Sequence, residues 1–446
     1  MSEVHREQAD AVIEALYARI GEGSPQPRLA PTRRACELLG DPQRMYGIVH
    51  LTGSNGKTST ARMIDSLLRA HGLRSGLMTS PHLTRLNERI VIDGEPISDE
   101  ALVANYSDIE PFLLMVDTEL AAHDEPALTF FEALTVLAFA CFADAPVDVA
   151  VVEVGMGGEW DSTNVANADV AVFTPIGMEH VDTLGPTLVD IARTKSGIIK
   201  PASRVVSSSQ QAEVIEVLRQ ACELNEAPLT ILGRDIQLTQ ITPGVGGQLI
   251  DVDLVAGSYS GLVVPLLGPH QAENATIAVA AVEQFLGGGQ QRLERDVIEE
   301  GLSQSSSPGR LQVVRTQPTI IVDAAHNPHG AEALSRAMIS SFQFSTLVVV
   351  CGVLSDKDAR GIVEALDPIA DYFVVTQPQS ERARAVEDLA DTVTQLAGPD
   401  RTSWRPNLSE AIGLAVEQAG PEGGVLITGS VAMVGEAMEL LNEEEH

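Results

Sequence analysis

The sequence is short of lysine, cysteine and long apolar runs, and each shortage narrows what the chain can be. Lysine occurs only at Lys57, Lys195, Lys200 and Lys357, so arginine carries nearly all the other positive charge. With 62 acidic against 29 basic residues, the formal net charge is -33. That balance argues against a nucleic-acid partner, whose phosphates would be repelled, and leaves small anions admissible because they respond to local charge. The four cysteines, Cys36, Cys141, Cys222 and Cys351, are far apart and match no metal spacing. Buried free thiols in a reducing cytosol are expected instead of a disulfide framework. No run reaches the roughly 18 apolar residues of a membrane span. The opening "MSEVHREQADAVIEALYARI" has no basic stretch followed by an apolar one, so no signal peptide is expected. These absences point to a cytoplasmic protein, expected to be a monomer working on small molecules.

What remains is ordinary globular material, 44% hydrophobic and 20% charged over 446 residues, too long for one core and therefore read as two domains. Strand-like runs alternate with helical patterns. "GIVHLTG" reads as a strand, "KTSTARMIDSLLRAHG" as a helix ending at Gly72, and "RSGLMTS" as a second strand. "FFEALTVLAFACFA" reads as a buried helix, with "VDVAVVEVG" and "ADVAVFTPI" as central strands. Near-continuous Val/Ala/Ile runs suit a parallel sheet covered on both faces, so the fold class is α/β. Residues 228–267 carry short strands with glycine turns, expected to pair antiparallel, and a helix is expected from His270 to Phe285. "GLSQSSSPGR" (301–310) looks like a linker. After it the βα rhythm restarts in "TIIVDAAHNP", "STLVVVCGVL", "DYFVVTQP" and "GVLITGS". The expected organisation is a first α/β domain over 1–304, a linker over 305–310 and a smaller Rossmann-like domain over 311–446. The closing "NEEEH" is expected to fray.

The first chemical motif is "LTGSNGKTST". Glycines between a strand and a helix N-terminus aim backbone N–H groups at an anion, with help from the helix dipole. Lys57 would reach the β- and γ-phosphates, and the Thr58 hydroxyl would bind Mg²⁺. Leu51 stands where the long pattern G-x-x-x-x-G-K-[ST] requires glycine, so a chance strand–turn–helix with a surface lysine is a competing reading. Three further features support the loop. Glu153 in "VVEVGMGG" ends a strand, where α/β sheets bind ligands. His180 in "TPIGMEHVDTLG" follows the next strand, although a histidine there is more often a structural hydrogen-bonder. Ser80 in "SPHL" follows the strand after the loop helix. Two hydroxyls, a carboxylate and an imidazole could hold two Mg²⁺ together with phosphate oxygens.

These residues belong to a longer pattern. "GSNGKTS" fits the shorter loop G-[TS]-N-G-K-x-[ST], and "TSPHLTRLNERI", "TFFEALT", "VEVGMGGEWDSTNV", "IGMEHVDTLGPTLVDIARTKSGIIKP", "GPHQAENATIA", "PGRLQ", "DAAHNP" and "TGSVAMVGEA" follow in order. The chain resembles the folylpolyglutamate synthase/dihydrofolate synthase family of the Mur ligase superfamily over nearly its whole length. The resemblance implies that Gly53, Ser54, Asn55, Gly56, Lys57, Thr58 and Ser59 hold ATP phosphates. It places Thr58, Ser80, Glu153 and His180 at magnesium positions, and Asn274, Arg310 and Asp323 at further ATP positions, some contributed by the second domain. His326 lies close by, and Lys195 matches a lysine that the family carries as a carbamate. Phe130, Phe131, Thr163 and Asn164 would line the pterin side. Arg85 and Arg89 would lie near the entry of an acidic substrate. A potassium requirement is left open.

The implied activity is an ATP-dependent amide ligase. It would activate a pterin or folate carboxylate as an acyl phosphate and join L-glutamate to it. The substrates would be dihydropteroate, tetrahydrofolate or both. Departures from the family pattern keep alternatives in view. Thr58 is closer to the cell-wall enzymes than to many folate enzymes, Thr194 and Ser196 flank Lys195 where Glu and Ala are common, and Glu159-Trp160 replaces a frequent Arg-Leu. A ligase acting on a cell-wall precursor is the near alternative; a P-loop NTPase switch is the more distant one.

Overall fold

A computed structural model describes residues 3–443. Eight strands form the first sheet: β1 (Gly47–Thr52), β2 (Ser75–Met78), β3 (Ile90–Ile92), β4 (Glu95–Pro96), β5 (Val149–Glu153), β6 (Val170–Phe173), β7 (Arg204–Ser207) and β8 (Leu229–Ile231). Their order is β4-β3-β2-β5-β1-β6-β7-β8. β1 runs parallel to both β5 and β6, and β2, β7 and β8 continue the parallel set. Only β3 and β4 pair antiparallel, at one edge. Val149–Glu153 is buried at every position, which is why its sequence is a continuous apolar run and not an alternating one. The chain leaves β1 toward β2 on one side, while β6 flanks β1 on the other. The carboxyl ends of β1 and β5 therefore lie at a point where strand order reverses, the usual ligand position in such sheets.

The helices around this sheet are locally well specified. Lys57–Ala70 follows β1 directly and ends one residue before His71, with Gly72 at φ +81 just beyond. Phe130–Asp144 begins with a capping box: Thr129 Oγ1 accepts from the Glu132 N–H, and Glu132 returns the bond to the Thr129 N–H. Such a cap is worth about 1 kcal/mol. It also fixes where Phe130 and Phe131 enter. Helices Glu3–Tyr17, Ala30–Leu38 and the 23-residue Asp99–Ala121 complete this side, packing on a core that includes Ile48, Met78, Phe130, Phe139 and Val152.

The expected linker is shorter at its start than its composition suggests. Gly301–Ser303 belong to the helix Arg295–Ser303, and Gly301 and Leu302 are buried. A Cβ on Gly301 would lie 2.8 Å from Leu67 Cα, and Ser66 Oγ donates to Gly301 O at 2.7 Å. The small residues there permit close helix contact with Lys57–Ala70, a use that composition does not distinguish from flexibility.

A three-stranded sheet follows: β9 (Gln237–Gly244), β10 (Gly247–Asp253) and β11 (Ser258–Val264), ordered β11-β10-β9. The helix expected from His270 spans Pro269–Gly287. The last sheet comprises β12 (Gln312–Thr316), β13 (Thr319–Asp323), β14 (Leu347–Cys351), β15 (Tyr372–Val375), β16 (Thr402–Trp404) and β17 (Gly424–Thr428), ordered β12-β13-β17-β14-β15-β16. It is parallel except for the β12–β13 pair. β12 and β16 carry no strong apolar run and were not expected. Two compact units result: residues 1–240, 251–262 and 273–305, and residues 241–250, 263–272 and 306–446. All four cysteines are buried free thiols. Of the end expected to fray, residues 444–446 lie outside the described residues, while the helix Val431–Glu443 includes the rest.

Candidate functional site

The loop after β1 is held by its own backbone geometry. Gly53 has φ +154, and a Cβ there would lie 1.9 Å from Thr174 Oγ1, so no other residue fits without displacement. Gly56 has φ +84, and its missing Cβ would meet Asn274 Oδ1 at 2.7 Å. Asn274, on the helix Pro269–Gly287 and almost fully buried, is thus brought against the loop. Ser54 fastens the loop to the segment after β6: its N–H donates to Pro175 O at 2.8 Å, and its hydroxyl bonds Gly177 O and the Gly177 N–H, both at 3.0 Å. Asn55 N–H donates to the same Pro175 carbonyl at 3.4 Å. Thr58 and Ser59 lie in the first turn of the helix Lys57–Ala70.

Glu153 ends β5 with 1% exposure. Thr58 Oγ1 donates to its two oxygens at 3.1 and 3.0 Å, and the Ser80 N–H donates to Oε2 at 3.3 Å. Thr58, Ser80 and Glu153 therefore converge at the ends of neighbouring strands. His180 starts the short helix Val181–Leu184 from a left-handed conformation, φ 44. Among the described residues no group of three or more His, Cys, Asp or Glu is placed to hold a metal. One carboxylate with hydroxyls is the donor set of a hard cation that completes its shell with phosphate and water oxygens.

The two lysines singled out by the sequence meet on one carbonyl. Lys57 Nζ donates to Gly53 O at 2.9 Å and Lys195 Nζ donates to it at 3.1 Å. Lys195, in the helix Leu188–Ser196, is 1% exposed and pairs with Glu179 Oε1 at 2.7 Å. Burial pushes the Glu179 carboxyl up, but the ammonium groups of Lys195 and Lys57 outweigh it and hold the carboxyl at about 2. Burial lowers the Lys195 ammonium below the usual lysine range, against the pull of Glu179. Sequence reading missed Glu179. The one available signal was its place beside His180, since its partner is 16 residues away in sequence and adjacent only in space.

The substrate-side residues are placed unequally. Phe130 is in the core, stacked on Tyr17 with ring centroids 5.1 Å apart and with the Arg89 guanidinium 5.2 Å from its centroid. Arg89 is itself buried, held by Glu22 at 2.7 and 3.1 Å and by His82 Nδ1 at 2.8 Å. Phe131 is half-buried beside Gly155, where a Cβ would lie 2.6 Å from its ring. Thr163 is fully buried, with its hydroxyl bonded to Asp161 and, at 2.9 Å, to His50 Nε2. Asn164 Nδ2 donates to Glu159 O and Gly197 O at 3.0 and 3.1 Å. Arg85 is partly exposed and pairs with Asp99 at 3.2 Å and Asp10 at 3.4 Å. His50 was also missed. Burial first, then Lys200, lowers it to about 3, so it is a neutral imidazole inside the sheet.

In the second unit Asp323 ends β13, accepting N–H bonds from Leu311 and Ala325 at 2.8 Å each. Burial raises its carboxyl above the usual range, with Arg310 opposing. His326 Nδ1 lies 3.0 Å from Ala324 O, and Asn327 caps the helix Pro328–Ser341. Arg310, Asp323 and His326 thus cluster around the end of one strand.

Two family models match the chain. One, described as the Mur ligase middle domain, matches residues 51–282, and the other, described as the Mur ligase, glutamate ligase domain, matches 309–431. The dihydrofolate synthase/folylpolyglutamate synthase of Mycobacterium tuberculosis is 44% identical over 441 residues, covering 94% of this chain and 91% of that protein. The structure of M. tuberculosis folylpolyglutamate synthase complexed with ADP aligns with a TM-score of 0.94 at 43% identity, covering 98% of this chain and 99% of that one. E. coli FolC in complex with DHPP and ADP aligns with a TM-score of 0.85 at 27% identity, covering 98% of each chain.

Proposed function

The chain belongs to the folylpolyglutamate synthase/dihydrofolate synthase family of Mur ligases, and from that premise we propose how its residues divide the work of glutamate ligation. The enzyme is an acid–amino-acid ligase that spends ATP to join L-glutamate to a folate-type carboxylate. The observation that carries the residue assignment is the meeting of Lys57, Lys195, Thr58 and Glu153 at the adjacent ends of β1 and β5. Cell-wall and NTPase-switch readings give way to this one.

A carboxylate is a poor electrophile because its charge repels an amine. Transfer of the γ-phosphoryl group to it gives an acyl phosphate and ADP. The α-amino group of glutamate then attacks the acyl carbon, and phosphate leaves as the amide forms. Positioning and charge neutralisation do most of this work. With the Ser54 and Asn55 N–H groups fastened to Pro175 O, the N–H groups at the start of the helix Lys57–Ala70 face the phosphates, and Lys57 leaves Gly53 O to meet them. Asn274 supports the loop from behind Gly56. Arg310, Asp323 and His326 are proposed as nucleotide contacts of the second unit. Thr58, Ser80, Glu153 and His180 would hold Mg²⁺, two ions in the fullest form, which supply charge neutralisation at the phosphate oxygens. Lys195 is the residue for a carbamate, and its burial favours the neutral amine that such a modification needs. Phe131 is proposed to face the pterin, with Phe130, Thr163 and Asn164 shaping that wall from within. Arg85 can exchange its acidic partners for those of a substrate.

Dihydropteroate and tetrahydrofolate are both proposed as acceptors, working in the cytoplasm as a monomer. The test is phosphate release from ATP with each acceptor, with and without glutamate, and with and without added K⁺. Release that requires acceptor and glutamate together supports the assignment. Release indifferent to both overturns it.

A further inference from the structure

A line of buried hydrogen bonds crosses from β1 to the loop that follows β5. His50, fully buried on β1, places Nε2 2.9 Å from Thr163 Oγ1. The Thr163 hydroxyl bonds Asp161 Oδ1, which also accepts the Thr163 N–H at 3.1 Å, and Asp161 Oδ2 accepts the Met156 N–H at 2.9 Å. The Asp161 side chain thus closes the loop 154–161 on itself. Gly155 of this loop is the seat of Phe131, since a Cβ there would lie 2.6 Å from the Phe131 ring and 3.2 Å from Asp161 Oδ2. We propose that His50 is a positioning residue for the acceptor pocket: it fixes the Thr163 hydroxyl as a donor to Asp161, and through Asp161 it holds the loop against which Phe131 packs. The assignment rests on the reading of Phe131 and Thr163 as the pterin side of the site.

Proton count sets the direction of this line. As a carboxylate, Asp161 can only accept, and two N–H groups and a hydroxyl face it. The Thr163 hydroxyl has one proton, spent on Asp161, so its oxygen accepts from His50. His50 is a neutral imidazole, lowered to about 3 by burial and then by Lys200, and so carries a single ring N–H. That proton belongs on Nε2. Nδ1 is then a bare lone pair, and it has no hydrogen-bond partner among the described residues. The reverse direction, with a protonated Asp161, would put the proton on Nδ1 and leave a buried N–H without an acceptor, which native structures seldom keep. Burial raises the Asp161 carboxyl above the usual range, and the bonds from Thr163 and Met156 oppose it. Without His50 the Thr163 hydroxyl can turn from the carboxylate, and the loop loses one of the bonds that close it. The phosphate loop is fastened elsewhere, by the Ser54 N–H on Pro175 O, so the loss should fall on the acceptor and not on the nucleotide.

The test combines kinetics with nitrogen NMR on the full chain carrying labelled histidine. The histidine signal that disappears in His50→Gln should show a protonated Nε2 and a bare Nδ1; a protonated Nδ1 overturns the proposal. In phosphate release with dihydropteroate and with tetrahydrofolate, His50→Leu should raise KM for the acceptor about tenfold. KM for ATP, and ADP affinity in calorimetry, should not change. His50→Gln, whose amide N–H has the reach of Nε2, should restore most of the acceptor KM. Thr163→Val should match His50→Leu, and the double variant should cost nothing more, because the effect passes through that hydroxyl. An unchanged acceptor KM in His50→Leu overturns the proposal, as does a full additional loss in the double variant or an ADP affinity that falls alongside. Should His50→Leu fail to fold, Thr163→Val and His50→Gln decide: a raised acceptor KM in the first with a near-parental one in the second supports the proposal, and any other pairing overturns it. Wild-type protein that turns over neither acceptor removes the pterin-side reading itself, and the proposal falls with it.

Discussion

Replacing Gly53 by alanine tests the loop at its tightest point. The new Cβ would sit 1.9 Å from Thr174 Oγ1 and 3.0 Å from both Thr174 Cβ and the Thr174 carbonyl oxygen. The hydroxyl can rotate away, but the carbonyl belongs to the segment just after β6 and cannot. Overpacking of this kind costs about 1–3 kcal/mol. The backbone adds to it, since φ +154 is a glycine conformation and holding another residue there costs about 1–3 kcal/mol. The sum, roughly 2–6 kcal/mol, should lower the melting of the first unit by roughly 4–24 °C at about 2–4 °C per kcal/mol. Scanning calorimetry is the assay, because two units can melt separately and a single-probe midpoint would mix them. Gly53→Ala combined with Thr174→Ala should recover the hydroxyl's part of the loss and no more, leaving the carbonyl contact and the backbone cost. ADP affinity should fall in both variants. A Gly53→Ala protein that melts within about 1 °C of the parent and binds ADP equally well would refute the reasoning.

Two further outcomes follow from the same contacts. Glu153→Gln keeps the bond from Thr58 but loses the charge, so the Mg²⁺ concentration needed for half-maximal turnover should rise sharply; an unchanged Mg²⁺ titration removes Glu153 from the metal set. His82 is lowered to about 4 by burial and then by Arg89, while it accepts from Arg89 Nε and contacts the Tyr17 hydroxyl. The unfolded chain takes up its proton near pH 6.5, so this contribution to stability is whole above 6.5 and is lost as pH falls from there toward 4. Urea melts of His82→Gln should show a flatter stability profile across that window, and a profile parallel to the parent would contradict the assignment.

How much of this was readable beforehand depended on whether a residue's role is local. Gly53, Gly56 and Lys57 act within one turn, so their spacing carried the information. Glu153 was legible because it ends an apolar strand beside a glycine turn, where an isolated carboxylate needs a reason. The buried βαβ strands announced themselves by composition. Glu179 was not legible, since its meaning lies in a 2.7 Å contact with a lysine on another element. Arg89, in the segment expected near the entry of an acidic substrate, is enclosed by Glu22, His82 and Phe130, partners that its motif does not reveal. Gly301 and Ser66 show that small polar residues are ambiguous between a flexible link and a close helix contact. β12 and β16, at the sheet edges, lack the continuous burial that marks a central strand.

The charge of the chain takes on a different weight for an enzyme that spends ATP. A protein with a formal charge of -33 uses ATP, a polyanion, and the two facts are compatible because they act over different distances. Repulsion from scattered surface carboxylates is screened beyond about 8 Å at physiological ionic strength. The loop works inside that distance and partly out of water, where a charge is felt far more strongly. Two of the four lysines in the whole chain, Lys57 and Lys195, are spent on one carbonyl in this loop. A third, Lys200, donates to Asn164 O at 3.1 Å in the segment expected to meet the pterin. Arginine serves the surface ion pairs with Asp and Glu, as at Arg34–Glu119 and Arg360–Glu364. Lysine is instead concentrated where a compact, mobile ammonium is useful: it can leave a carbonyl for a phosphate, which a fork-shaped guanidinium does less readily. The scarcity of lysine that first narrowed the reading is thus also what marks the site.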